Sequence, residues 1–106
     1  MSGHSKWSKI KRKKGSISAN HYHIKDTHYI FCVKGKVLYE EKDIKDKNSS
    51  IKSVIINEGE MVKSSPYLAH STEFLKDTIL LTFSTQHRNQ KQYEADTVRV
   101  DFFKKK

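Results

Sequence analysis

Half of the six histidines of this 106-residue chain lie in one eight-residue segment, HYHIKDTH, as His21, His23 and His28. Neutral imidazole is the commonest protein ligand for transition metals and the side chain best suited to moving protons near neutral pH. In a strand, alternate side chains share a face, so His21 and His23 project together with β-carbons about 6–7 Å apart. That spacing lets both rings converge on one ion through bonds of roughly 2.0–2.1 Å. His28 follows the short link IKDT and is placed to close back beside them. A fourth histidine, His70, lies in SSPYLAHSTEF, just after the only proline, Pro66. A chain reversal that brings this strand alongside would complete a four-histidine site. Taken singly, each of these histidines would more often be a packing or surface residue.

The elements that must hold them are short. Proline and glycine are scarce, with one Pro and four Gly, and helical periodicity is absent. Runs rich in β-branched and aromatic residues recur instead, broken by turn residues. Strands are expected at 28–33, 36–41, 51–56, 61–64, 68–75, 78–84 and 97–103. Gly35 and Gly59 mark turns, and 42–50 is a polar loop. TILLTFS (78–84) is the most apolar run and is expected to be central. Strands every 8–12 residues with few helices predict an all-β sandwich or barrel.

Composition bounds the function classes. The length suits one domain with a modest core. No apolar run approaches the ~20 residues that span a membrane, and no apolar stretch follows the basic N-terminus as a signal peptide requires. The lone cysteine, Cys32, cannot form an intrachain disulfide, and its neighbours in YIFCV predict a buried thiol. A reducing, cytoplasmic setting is the expectation. The net charge of +9 is unevenly placed. Residues 1–14 hold six basic residues and no acid, and the last three residues are lysine. The body between them is balanced, with 12 bases and 12 acids. Basic ends predict solubility or weak attraction to polyanions more than a dedicated binding fold.

The glycines and histidines together resemble the cupin superfamily. Its first motif runs G, five residues, H-x-H, three or four residues, E, six residues, G. This chain reads Gly15, SISAN, His21-Tyr22-His23, IKDT, His28, YIFCVK, Gly35, with His28 where the family usually has glutamate. The second motif runs G, five residues, P-x-G, two residues, H, three residues, N. Here it reads Gly59, EMVKS, Ser65-Pro66-Tyr67, LA, His70, STE, Phe74. Ser65, Tyr67 and Phe74 replace the usual P, G and N. The resemblance covers about residues 15–84 and implies a cupin double-stranded β-helix, a jelly-roll-like antiparallel barrel.

It further implies four ligands, His21, His23, His28 and His70, around a divalent transition metal. Four neutral imidazoles suit Zn, Fe, Ni or Cu better than Mg or Ca. They leave the ion's charge uncompensated, which favours acidifying a bound water or polarising a substrate oxygen. Within the superfamily, SANHYHIKDTHYIFCVKGKVLYEE and STQHRNQKQYEADTVRV are similar to small single-domain members of polysaccharide and nucleotide-sugar pathways. A sugar-like ligand is the implication. Pocket candidates follow from strand phase: Thr72 and Phe74 share His70's face, and Lys63 lies on the strand leading to the site. Arg88, Tyr93 and Arg99 are placed to reach the barrel mouth. Such cupins commonly pair terminal strands, so a homodimer is expected.

The opening MSGHSKWSKIKRKKG also resembles YebC-type factors, linked to translation and transcription, up to Gly15. A basic arm with Trp7 suits phosphate contact and base stacking. The plainer reading makes it the first, lysine-rich edge strand, since lysine on an edge discourages intermolecular pairing. The expected organisation is residues 1–14 as arm or edge strand, 15–103 as one cupin domain, and 104–106 as a basic tail. Four functions stand open. The first is a metal-dependent cupin, an isomerase, epimerase or dioxygenase, acting on a sugar-like ligand. The second is a non-catalytic ligand-binding or sensor module. The third is a metal-free epimerase using a His–Asp pair with Asp26 and a tyrosine acid, Tyr22 or Tyr29. The fourth is nucleic-acid binding through the basic N-terminus.

Overall fold

The computed structural model describes residues 7–85 and 96–100. Nine strands occupy most of them: β1 (Trp7–Arg12), β2 (Ile17–His23), β3 (His28–Lys34), β4 (Lys36–Asp43), β5 (Lys52–Asn57), β6 (Met61–Ser64), β7 (Leu68–Phe74), β8 (Thr78–Ser84) and β9 (Thr97–Arg99). They form two antiparallel sheets, ordered β1-β8-β3-β6 and β5-β4-β7-β2-β9. Consecutive strands repeatedly cross from one sheet to the other. This is the all-β architecture that short alternating strands predict, in the jelly-roll-like form that the resemblance implies.

The apolar run Thr78–Ser84 is interior, between β1 and β3. Residues 7–12 are the edge strand beside it, in register from Trp7 opposite Phe83 to Arg12 opposite Thr78. The late strand is shorter than expected. It covers Thr97–Arg99, and Val100 is already outside it. Residues 101–103 lie outside the described residues. Among the described residues, no helix is long and apolar enough to cross a membrane.

Both sheets turn one face inward, and the inward residues grade from polar to apolar along the barrel. At one end, register aligns Ser64, His28 and Ser84 across one sheet, and His70 and His21 across the other. At the other end Ile30, Cys32, Val37, Tyr39, Ile56, Phe74 and Leu80 form the core, with Ile10 and Val62 packed against it. Cys32 is fully buried there, and burial pushes its thiol pKa up. The chain crosses from β3 in one sheet to β4 in the other at Gly35, whose φ of +107° only glycine adopts without strain. The turn is also tight: a β-carbon there would lie 2.4 Å from Thr78 Oγ1.

Candidate functional site

Strand β2 carries His21 and His23, and a bulge controls how they are presented. Its register with β7 runs Ile17–Glu73, Ser18–Thr72, Ala19–Ser71 and then shifts, so that His21 falls opposite His70. The extra residue is Asn20, at φ 70°, a left-handed conformation that asparagine tolerates better than most. The shift puts His21 and His70 side by side, with ring centroids 4.8 Å apart. His23 is 4.7 Å from His21 and stacks on His28 at 4.4 Å. His28 stands 6.5 Å from His70. The four histidines singled out from spacing are therefore brought together at the polar end of the barrel.

They fall into two overlapping groups. One potential ligand atom each from His21, His23 and His70 lies within 4.8 Å of the others, and the same is true of His23, Asp26 and His28. Outer partners fix most of the rings. His70 Nδ1 donates to the Leu68 carbonyl at 3.2 Å or to Ser64 Oγ at 3.0 Å. His23 Nδ1 sits 3.4 Å from Thr97 Oγ1 and 3.6 Å from Asp96 Oδ2. His28 Nε2 donates to Asp26 Oδ2 at 2.6 Å. By contrast, His21 Nδ1 is buried with no hydrogen-bond partner.

Electrostatics keep two of these rings neutral. Burial, then the neighbouring His70, His23 and His28 and the Arg99 guanidinium, lower the His21 pKa to about 3. Burial likewise lowers His70 to about 4, with the Leu68 hydrogen bond acting against it and His28 with it. A neutral imidazole keeps the lone pair that a metal requires. Ligands on one ion sit roughly 3–4 Å apart when bonds are about 2.0–2.1 Å. The donor set and the unsatisfied His21 nitrogen could hold a divalent transition metal once the ligand atoms, now within 4.8 Å, close to that spacing.

A second feature is the carboxylate of Asp26, buried in the IKDT link. Besides His28 it receives Ser84 Oγ at 2.7–2.8 Å, the Thr85 amide at 3.1 Å and Thr85 Oγ1 at 3.3 Å. These donors satisfy both carboxylate oxygens. Asp96, seventy residues away in sequence, braces the same link by accepting from the Lys25 and Asp26 amides. Ser64, Ser84, Thr85 and Asp96 carry no local sequence signal. They reach the histidines and Asp26 only through pairings between segments distant in sequence.

A cavity of about 160 Å³ opens between the sheets against the histidines. His21, His28, His70, Thr72 and Phe74 line it, with Ser8, Ser18 and Thr82 adding hydroxyls. Of the other pocket candidates, Lys63 is corrected by strand phase. On β6 the buried position is Ser64, so Lys63 is exposed on the outer face opposite Tyr29. Arg99 is exposed and pairs with His21 across β2–β9. Arg88 and Tyr93 lie outside the described residues. The two tyrosines considered as proton donors are held elsewhere: Tyr22 packs on Tyr67 at 5.8 Å and Tyr29 on Phe83 at 6.1 Å.

No protein-family model and no curated protein matches the chain. Solved structures do. The capsular polysaccharide assembling protein CapF from Staphylococcus aureus superposes with a TM-score of 0.79 at 20% identity, over 90% of this chain and 28% of that one. The dTDP-4-dehydrorhamnose 3,5-epimerase from Sulfolobus tokodaii gives 0.75 at 20%, over 91% and 57%. QdtA, a sugar 3,4-ketoisomerase from Thermoanaerobacterium thermosaccharolyticum solved with TDP, gives 0.71 at 20%, over 88% and 64%. The chain thus spans less than two thirds of each of these proteins. The likeness shows the fold, a cupin jelly roll.

Proposed function

We propose that this chain is a cupin that takes a small polar, carbohydrate-like ligand into the cavity between its sheets and isomerises or epimerises it with the help of a bound divalent transition metal. The observation that carries this reading is the convergence of His21, His23 and His70, with ligand atoms within 4.8 Å of one another. Those three residues would hold the metal. His28 would stand beside them as a fourth ligand or as a proton-handling group. Bound there, the ion would polarise a ligand oxygen and acidify the adjacent C–H or a water.

The rest is the work of the chain's own residues. With Nε2–H donated to Asp26, the His28 lone pair resides on Nδ1, the atom that would accept a proton. Asp26 fixes that tautomer and offsets the charge of the protonated ring. Thr72, Ser18 and Thr82 offer hydroxyls to a polyhydroxylated ligand, while Phe74 and Leu80 close the cavity's inner end. The cavity is small beside the 300–1,000 Å³ common for ligand clefts. It suits one sugar-sized moiety, with anything larger lying outside. The likeness in fold to a sugar 3,4-ketoisomerase solved with TDP and to a dTDP-4-dehydrorhamnose 3,5-epimerase supports this ligand class. A homodimer through a terminal strand belongs to the same reading, since β1 and β9 are both sheet edges.

A metal-free epimerase is the second reading, and the Asp26–His28 pair favours it. Isothermal titration against a panel of nucleotide-linked and free keto-sugars, followed by NMR of the mixture, tests the ligand class. Repeating turnover after chelation separates the two readings. Binding and conversion that vanish with the metal support the first, and full activity without metal supports the second. A protein that binds no sugar-like compound contradicts both.

A further inference from the structure

The outer face of the four-stranded sheet takes no part in the site, yet it is not an ordinary solvated face. On β3 the inward His28, Ile30 and Cys32 alternate with Tyr29, Phe31 and Val33. On β8 the inward Leu80 and Ser84 share the strand with outward Ile79, Leu81 and Phe83. Register sets Tyr29 beside Phe83 and Phe31 beside Leu81. On one flank, β6 adds Lys63 beside Tyr29 and Met61 beside Phe31. On the other, β1 adds Lys9 beside Leu81 and Lys11 beside Ile79. Tyr29, Phe31, Ile79, Leu81 and Phe83 are half-exposed, and Met61 is 56% exposed. Lys9, Lys11 and Lys63 are exposed.

The charge on this sheet has one sign. Its four strands carry Lys9, Lys11, Arg12, Lys34 and Lys63 and no acidic residue. In the other sheet, β4 alone carries Glu40, Glu41 and Asp43. The balanced body composition therefore hides a segregation: one sheet is acid-free, and its basic residues rim an aromatic centre.

We propose that this face binds a single-stranded polynucleotide, with bases stacked on Tyr29 and Phe31 and phosphates neutralised by Lys9, Lys11 and Lys63. The partner must present flat apolar surface to the centre and negative charge to both rims. A single strand supplies both along its length, because every base has a π-face and every linkage a charge. Tyr29 and Phe31 project from the same face about 6.5 Å apart along β3, a spacing a stretched strand can follow. A second copy of the chain fits less well. Face-to-face packing would oppose two lysine rims with no acid between them, and like charges across an interface are costly. This site is separate from the sugar cavity, which lies on the inward face of the same sheet.

Fluorescence anisotropy of labelled oligo(dT) and oligo(U) with the full chain, at low and moderate salt, tests the proposal. Binding should weaken as salt rises. Phe31→Leu and Tyr29→Leu, which keep an apolar side chain, should each weaken it about fivefold or more. Lys9→Gln with Lys11→Gln should flatten the slope of log affinity against log salt by about 1.4. Thermal unfolding confirms that the variants fold, and the lysine pair is exposed enough to remain informative if the aromatic variants do not. Three results would overturn the proposal. The first is no oligonucleotide binding. The second is binding that neither variant set changes, which assigns it to the basic ends. The third is a dimer in light scattering that Phe31→Glu dissociates, or uptake by phosphatidylserine vesicles, in either case without oligonucleotide binding.

Discussion

His28 Nε2 lies 2.6 Å from Asp26 Oδ2, and both groups are buried. Only Thr27 separates them in sequence, and the turn between them is held by Asp96 and Thr85. The pair orients the imidazole whether His28 ligates a metal or accepts a proton itself. In metal sites the same arrangement, a carboxylate behind a histidine, raises ligand basicity and fixes the ring.

Asp26→Asn keeps the shape and removes the charge. Ser84 and Thr85 then donate to a weaker acceptor, and the folded state should lose about 1–3 kcal/mol in urea unfolding. Any turnover on a sugar-like ligand should fall by roughly 10²–10⁴-fold. Nitrogen NMR of the His28 ring should show the proton leaving its fixed place on Nε2 for a mixture of tautomers. An unchanged tautomer and unchanged turnover would separate Asp26 from the chemistry.

Gly35→Ala tests the turn that carries the chain from β3 in one sheet to β4 in the other. The new β-carbon would meet Thr78 Oγ1 at 2.4 Å and the Asp77 carbonyl at 2.6 Å, at a φ of +107°. Strain of this kind costs about 1–3 kcal/mol or more. The expected result is a clear drop in the unfolding midpoint, larger than that of Gly15→Ala, where nothing lies within 4 Å of the added carbon.

Phe74 closes the apolar end and is 1% exposed. Phe74→Ala should cost about 3–5 kcal/mol by the cavity it leaves. Phe74→Leu should cost distinctly less. Near-equal losses would mean that the inner end collapses around the gap.

The pH dependence of stability follows from His21 and His70. Their folded-state pKa values, about 3 and about 4, lie below the ordinary 6.5. The unfolded chain therefore takes up protons first as pH falls. In the metal-free protein, stability should be undiminished well above pH 6.5 and lost progressively between there and pH about 3. Urea midpoints measured across that range should fall, and His21→Gln with His70→Gln should flatten the slope. A stability maximum near pH 5 would contradict it.

The sequence exposes some of this arrangement directly and hides the rest for physical reasons. His21, His23, His28 and His70 are legible because side chains that converge from strands leave the period-two H-x-H and a fixed distance from turn glycines. Strand positions are legible from the same alternation. The bulge at Asn20 is not, since a single left-handed residue leaves no pattern, yet it sets His21 against His70. Asp96 and Ser84 are silent because their partners lie 58 or more residues away and are chosen by sheet register. Lys63 was misplaced by proximity, and strand phase turns it outward. The basic rim of the four-stranded sheet is invisible in a balanced composition until the strands are sorted into sheets.

The most direct test of the metal-assisted reading is elemental analysis of untagged protein beside His70→Ala, before and after incubation with Zn, Fe, Ni and Cu salts. The prediction is about one equivalent of a transition metal per chain, lost in the variant, as a three- or four-histidine centre requires. If neither protein carries or takes up metal, the histidines act as packing and acid–base groups. The Asp26–His28 pair would then have to do the chemistry alone.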